Sequence, residues 1–312
     1  ANFRSSTAML PADWKTVNLP HDWCIEGTFV DDKDLGSQPG GNGYLPVGIG
    51  FYRKEFDIPE SDKGKKISIE FDGMFRNSTV WVNGHLIGNH QSGYTPSNYD
   101  LTDVLRYGNE GKNAILVKVD ATQPEGWFYE GCGIYRHVWL VKTDKLHVAR
   151  FGTYVTTPTV SDAEAAVSIK TTVKNEYKRA KNITLVSKIV DKKGLVLDTE
   201  TSTLSITPFD QAEVSHIGAI KKPLLWSPET PNLYKVLTEV SEDGKVIDSY
   251  ETTFGVRTVE ITKNGAFLNG KLCPVKGTCN HQDFAGIGVA VPDKINWYKL
   301  KVLKESGSNA YR

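Results

Sequence analysis

The chain has 312 residues, 39% hydrophobic and 24% charged, and its 37 Lys and Arg balance 37 Asp and Glu. That length accommodates about two to three domains, and zero formal charge offers no field to gather nucleic acid or an acidic membrane surface. A membrane partner is also disfavoured because no run of about 18 apolar residues is present, and the first residues lack a basic-then-apolar signal pattern.

The compartment stays open: periplasmic or secreted if a signal peptide has been removed, cytoplasmic otherwise. A homo-oligomer is left open as well. Cys24, Cys132, Cys273 and Cys279 have no metal-type spacing, except that Cys273 and Cys279 share one hairpin-to-strand run. Buried thiols are the expectation, and neither a metal nor another cofactor is called for.

Residues 1–145 read as short alternating strands separated by turn signals, the pattern of a sandwich or barrel. Ile67, Ile69 and Phe71 alternate with polar neighbours, and so do Ile115, Val117 and Val119. The Asn83-Gly84 pair between Trp81-Val82 and His85-Leu86 predicts a type I′ hairpin, because both positions tolerate positive φ. Two stretches are too rich in Gly for regular structure. Residues 21–50 hold Trp23, Asp31, Asp32 and Asp34 among glycines, and Gly126-Trp127-Phe128-Tyr129-Glu130-Gly131-Cys132-Gly133 sets three aromatics beside a carboxylate. Aromatic faces next to carboxylates suit sugars, whose C–H faces stack on rings while hydroxyls seek acceptors. Plugging a domain interface is the other use for such rings.

Residues 146–256 carry a second set of strands. Val167, Ile169, Thr171 and Val173 alternate, as do Tyr234, Val236, Thr238 and Val240, and turns at Asp191 and at Asp243-Gly244 fit an immunoglobulin-like spacing. Lys174, Lys178, Arg179 and Lys181, interrupted by Glu176, predict a solvated turn. Nothing chemical stands out, so this segment reads as a spacer.

Residues 257–312 begin with a hairpin bracketed by Asn264-Gly265 and Asn269-Gly270. A short apolar run from Val275, a helix and a second short run at Ser308-Asn309-Ala310-Tyr311 follow, the order of a βαβ unit. Asp293 is placed to cap the helix, Ile295, Tyr298, Val302 and Leu303 to form its apolar face, and Gly307 to end it. His281, Gln282, Asp283 and Arg312 fall where strands leave the sheet, the side that carries chemistry in barrels.

Eight short pieces occur in one order along the chain: Leu19-Pro20-His21-Asp22-Trp23, Gly48-Ile49-Gly50-Phe51-Tyr52-Arg53-Lys54, Trp81-Val82-Asn83-Gly84, Gly133-Ile134-Tyr135-Arg136-His137-Val138, Leu225-Trp226-Ser227-Pro228-Glu229, Phe254-Gly255-Val256-Arg257, Asn280-His281-Gln282-Asp283 and Asn309-Ala310-Tyr311-Arg312. With them the chain resembles the N-terminal part of glycoside hydrolase family 2, especially β-galactosidase-like members. The resemblance implies a mainly β chain: a jelly-roll sugar-binding domain over 1–145, an immunoglobulin-like sandwich over 146–256, and an incomplete start of a (β/α)8 catalytic barrel over 257–312. It also implies retaining hydrolysis by two glutamates held about 5–5.5 Å apart, one the nucleophile and one the acid/base.

About 55 residues follow Arg257, whereas a barrel takes roughly 250, so both glutamates are expected beyond Arg312 and no catalytic residue within the chain. What the resemblance implies here is substrate binding. His281 lies beside the bound sugar, Arg312 orients sugar or nucleophile through its planar fork, and Asp283, Asp22 and the stacking ring of Trp127 follow as further candidates. Phe284 stands where many family members carry a second histidine, a departure that weakens the choice of sugar. The partner implied is a β-galactoside or related glycan. A metal in the full barrel is left open, and the alternatives are a non-catalytic carbohydrate-binding module or a β-glucuronidase- or β-mannosidase-like member.

Overall fold

A computed structural model of the chain describes residues 14–31, 41–123 and 128–312. Asp32, Asp34 and Trp127 therefore lie outside the described residues. The chain divides into two compact units, one formed by residues 1–142 together with 278–312, the other by 143–277. It is mainly β, and no described helix is long and apolar enough to cross a membrane.

The first unit is a sandwich of antiparallel sheets. One contains β1 (Ile49–Phe56), β6 (Asn113–Asp120), β3 (Ser78–Val82) and β4 (His85–His90), in that spatial order. The other contains β5 (Ser97–Asp100), β2 (Lys66–Phe71) and β7 (Val138–Thr143). The period-two pattern does what it predicts. Ile67, Ile69 and Phe71 from β2, Val80 and Val82 from β3, and Ile115, Val117 and Val119 from β6 are all buried in one core with Ile58, Leu101 and Ile134. Asn83 and Gly84 have φ of 51° and 85°, the both-positive signature of a type I′ turn. The Asn83 side chain also ties the hairpin down, donating to Val104 O and Asn113 Oδ1 and accepting from Ala114 N–H.

The second unit pairs a sheet ordered β11 (Val196–Ile206), β10 (Lys181–Val190), β13 (Tyr234–Glu242), β14 (Lys245–Phe254) with one ordered β12 (Asp210–Lys221), β9 (Glu164–Asn175), β8 (Leu146–Thr156). Val167, Ile169 and Val173 from β9 and Val236 and Val240 from β13 are buried, as their alternation predicts. Asp243 and Gly244, at φ 50° and 78°, turn β13 into β14. Lys181 departs from the solvated turn expected of its neighbours. It is buried, with Nζ 2.7 Å from both carboxylate oxygens of Glu242 and 4.2 Å from the Tyr177 ring centroid. A buried ammonium needs such compensation, and Glu242 lies too far along the chain for a local charge count to reveal it. The unit continues through a three-stranded sheet of β15 (Val259–Thr262), β16 (Gly265–Leu268) and β17 (Lys271–Leu272).

Residues 278–312 close the first unit. β18 (Gly277–Thr278), α1 (Asp293–Glu305) and β19 (Ala310–Tyr311) form the βαβ unit. Arg312 N–H donates to Thr278 O at 3.2 Å, and Asn280 N–H donates to Arg312 O at 2.9 Å. Two bonds from one residue flanking its partner on the other strand are the parallel pattern. Among the described residues no barrel closes around this pair. Two helix expectations need correcting. Pro292 occupies the N-cap and Asp293 the first turn, where its charge meets the helix dipole. The half-buried stripe is Ile295, Lys299 and Leu303, while Tyr298 and Val302 are exposed; Lys299 in that i, i+4, i+8 row reaches the carbonyls of the loop after β18.

The cysteines also differ from the buried-thiol expectation. Cys24 and Cys132 form a disulfide across 108 residues of sequence with a Cα–Cα distance of 5.7 Å, and Cys273 and Cys279 are free. Two loops converge at this point, and neither loop's sequence advertises the other. Thiol titration of the unreduced, denatured chain should count two reactive cysteines, and four after reduction; four without reductant would remove the disulfide.

Candidate functional site

The segments singled out in the sequence meet at one buried carboxylate. Asp22, 2% exposed, takes hydrogen bonds on Oδ1 from the N–H groups of Cys24 and Cys132, each at 3.1 Å. Its Oδ2 accepts from the Tyr129 hydroxyl at 2.6 Å and from Val289 N–H at 3.0 Å. Two oxygens with two lone pairs each are thereby matched by four donors. Asp22 thus braces the 21–27 loop, the aromatic loop and the loop after β18, and its oxygens are committed to protein donors rather than to a ligand hydroxyl. Gly131 and Gly288 pass so close to Oδ2 that a Cβ at either would strike it, and both have positive φ, at 72° and 63°.

Asn42 supports the same loop. It is buried, and its Oδ1 accepts the N–H groups of Glu130 at 3.2 Å and Gly131 at 2.9 Å. The Tyr94 hydroxyl donates to Glu130 Oε1 at 3.1 Å. Burial, with the Asp22 carboxylate adding to it, pushes the Tyr129 and Tyr52 phenols well above their ordinary range; burial and then Glu130 do the same to Tyr94. Each phenol therefore stays a donor at any physiological pH. Sequence reasoning passed over Asn42 and Tyr94. Asn42 has only its position among glycines to mark it, and Tyr94 has no local signal.

His281 leaves the end of β18 exposed, with its ring stacked on Phe128 at a centroid distance of 4.2 Å and a tilt of 37°. Lys299 from α1 donates to the carbonyls of His281 at 3.2 Å and Asp283 at 3.1 Å, which fixes the turn of main chain that presents both side chains. Arg312 is exposed at the end of β19, and its Nη1 donates to Cys279 Sγ at 3.7 Å. The hydrogen bond from Asn280 to Arg312 sets the His281 and Arg312 backbones side by side. The structure thus stacks His281 on Phe128, sets the Arg312 main chain beside that of Asn280, and ties Asp283 to His281 through Lys299. Asp22 joins the aromatic loop through Tyr129 rather than facing the same space, and Trp127 is not described.

Asp22, Cys24 and Cys132 are also the described His, Cys, Asp and Glu side chains clustered tightly enough to suggest a cation. The sulfurs are joined as a disulfide and the carboxylate is saturated by N–H and O–H donors, so the set does not suit a metal.

The chain as a whole is similar to known proteins. Residues 10–144 match the model of the sugar binding domain of glycosyl hydrolases family 2, and residues 147–257 match a second model of glycosyl hydrolases family 2. The chain superposes on a solved glycosyl hydrolase family 2 member from Bacteroides cellulosilyticus with a TM-score of 0.94 at 33% identity, covering 100% of this chain and 40% of that one. The chain belongs to glycoside hydrolase family 2. It is 38% identical over 302 residues to the β-galactosidase BoGH2A of Bacteroides ovatus, covering 96% of this chain and 35% of the relative. It is equally 38% identical over 305 residues to a putative β-glucuronidase of Formosa agariphila, covering 96% of this chain and 28% of the relative. The chain thus spans about a third of the length of these relatives.

Removing the Asp22 carboxylate strands four buried donors. Asp22→Ala should cost about 3 kcal/mol or more in urea unfolding, and Asp22→Asn, which keeps one acceptor oxygen, should cost less. The raised phenols set an alkaline limit. Below about pH 10 native and unfolded chains both hold these protons and the contribution is intact; above it the unfolded chain ionises first, so stability falls as pH rises toward the native values. The urea midpoint should therefore drop from about pH 10 upward, with tyrosinate absorbance appearing together with unfolding.

Proposed function

We propose that the chain supplies the sugar-binding sandwich, the immunoglobulin-like module and the first βαβ unit of a retaining exo-glycosidase that removes terminal β-linked sugars, a β-galactoside first among them. The observation that carries the reading is the side-by-side emergence of His281 and Arg312 from adjacent parallel strands, with Phe128 of the sandwich stacked on His281. In a (β/α)8 barrel that end of the strands is where substrate is handled.

His281 then hydrogen-bonds a sugar hydroxyl whose charge shifts toward the transition state. Arg312 offers a planar fork to the sugar or to the nucleophile carboxylate, and Asp283 accepts a further hydroxyl. Trp127 is assigned to stacking on the sugar. Asp22 acts at one remove, by holding Tyr129 and the Val289 loop. The nucleophile and the acid/base, two glutamates, are assigned to further strands of the barrel. A β-glucuronidase is the second reading, favoured by relatives of that name that match this chain as closely as the galactosidase does.

Aryl β-galactoside and aryl β-glucuronide hydrolysis separates the readings. The 312-residue chain should turn over neither substrate, and the protein continued through a complete barrel should turn over one. In that longer protein His281→Ala should lower kcat by about 10²–10³-fold. Turnover by the 312-residue chain that survives loss of both His281 and Arg312 side chains would overturn the proposal.

A further inference from the structure

One cluster on the first unit serves neither the sandwich core nor the Asp22 node. Trp139 stands on β7, an edge strand, with 51% of its surface open to water. Its orientation is set, since the indole Nε1–H donates to Asp72 Oδ2 at 3.1 Å. The His137 ring lies 5.3 Å from the indole at a tilt of 36°. Its Nδ1 is 3.4 Å from Asp72 Oδ2, and its Nε2 is 3.3 Å from Asp293 Oδ2. Asp72 Oδ1 and Asp293 Oδ1 take no protein donor among the described residues, and the Asp293 side chain is 80% exposed.

An indole half open to water, held by its own N–H beside carboxylate oxygens, combines an apolar ring with acceptors at its rim. It matches one ligand class closely. A pyranose offers an apolar C–H face to a ring and, at its rim, hydroxyl donors to acceptors. The rim here carries two carboxylates and one imidazole, so a uronic acid would meet repulsion and a neutral sugar would not. Position adds to the argument. Asp293 opens α1, and in a βα unit the N-terminus of the helix lies at the same end as the exit of the strand, which is where His281 and Arg312 emerge.

We infer that Trp139, with Asp72, His137 and Asp293, is a second sugar subsite that takes a neutral pyranose unit of an oligosaccharide whose neighbouring unit lies toward His281. Its direction rests on the glycosidase reading above; its chemistry does not. The substrate class becomes an oligosaccharide chain end rather than a simple glycoside, with the ledge reading a sugar next to the one removed.

The test is fluorine NMR on the 312-residue chain labelled with 5-fluorotryptophan, the Trp139 resonance being assigned by its loss in Trp139→Phe. β-1,4-Galactobiose and cellobiose should shift that resonance in the millimolar range, and a glucuronate-ended disaccharide should do so more weakly. Asp72→Asn should weaken the response about three- to tenfold while the other tryptophan resonances keep their positions, which reports an intact fold. A Trp139 resonance unmoved by either neutral disaccharide up to about 20 mM, or moved equally in Asp72→Asn, overturns the subsite. Aryl glycoside hydrolysis by the longer protein is a separate readout. Its failure would sink the glycosidase reading and leave a shifting Trp139 as a binding ledge, whereas hydrolysis with an unmoved Trp139 would sink the ledge alone.

Discussion

A buried carboxylate with no cationic partner among the described residues survives only if every lone pair finds a donor. Asp22 meets that condition with two main-chain N–H groups from a disulfide-linked pair of loops, one phenol and one N–H from the loop after β18. The geometry leaves little latitude. Glycines at 131 and 288 are required because the main chain must pass within reach of Oδ2, and the Cys24–Cys132 bond holds the first two donors together. Everything presented to solvent above this point, from Phe128 to His281, inherits its position from it.

The first unit therefore divides its labour. Its core of alternating aliphatic residues needs no chemistry and would suit any sandwich. The loops at one end match donors to acceptors, with Asn42, Tyr94 and Glu130 pairing beside the half-buried Phe128 and Tyr129. A βαβ unit with two short strands buries little of its own surface, and no residue of α1 is fully buried. The sandwich compensates by lending Val289 a place in the apolar cluster around the disulfide, with Leu45, Phe75 and Tyr135. Lys299 does the remaining work within the unit itself, gripping the carbonyls on either side of Gln282.

How much of this could be read beforehand depended on the distance between partners. Strand faces followed from period two, as in residues 67–71 and 115–119, because burial of a strand is decided by its own neighbours. The Asn83-Gly84 and Asp243-Gly244 turns were legible because φ preference is a property of single residues. The βαβ order at residues 277–311 was legible from its pattern, and the family from eight short pieces in order. Asp22 was legible as a candidate hydroxyl acceptor in a loop, not as the brace between loops that it is. Three of its four donors lie 107, 110 and 267 residues away, and no local pattern encodes them. The disulfide was hidden for the same reason, and Trp139 reads in sequence as one more apolar residue of a strand. The stripe on α1 was half legible, since periodicity names a face but the partner surface selects which row of that face is covered.

The bond from Val289 to Asp22 has a consequence for the order of events in synthesis. The first unit is interrupted in sequence by the whole of the second, which is one continuous stretch. As the chain emerges N-terminus first, the sandwich core, all of it before residue 143, and the immunoglobulin-like stretch can each pack once made, whereas the loop end around Asp22 stays one donor short until residue 289 arrives. Closing a contact of that span is slow on topological grounds. A nascent molecule thus carries packed strands with one loop cluster still incomplete, and that cluster is the one that later presents His281.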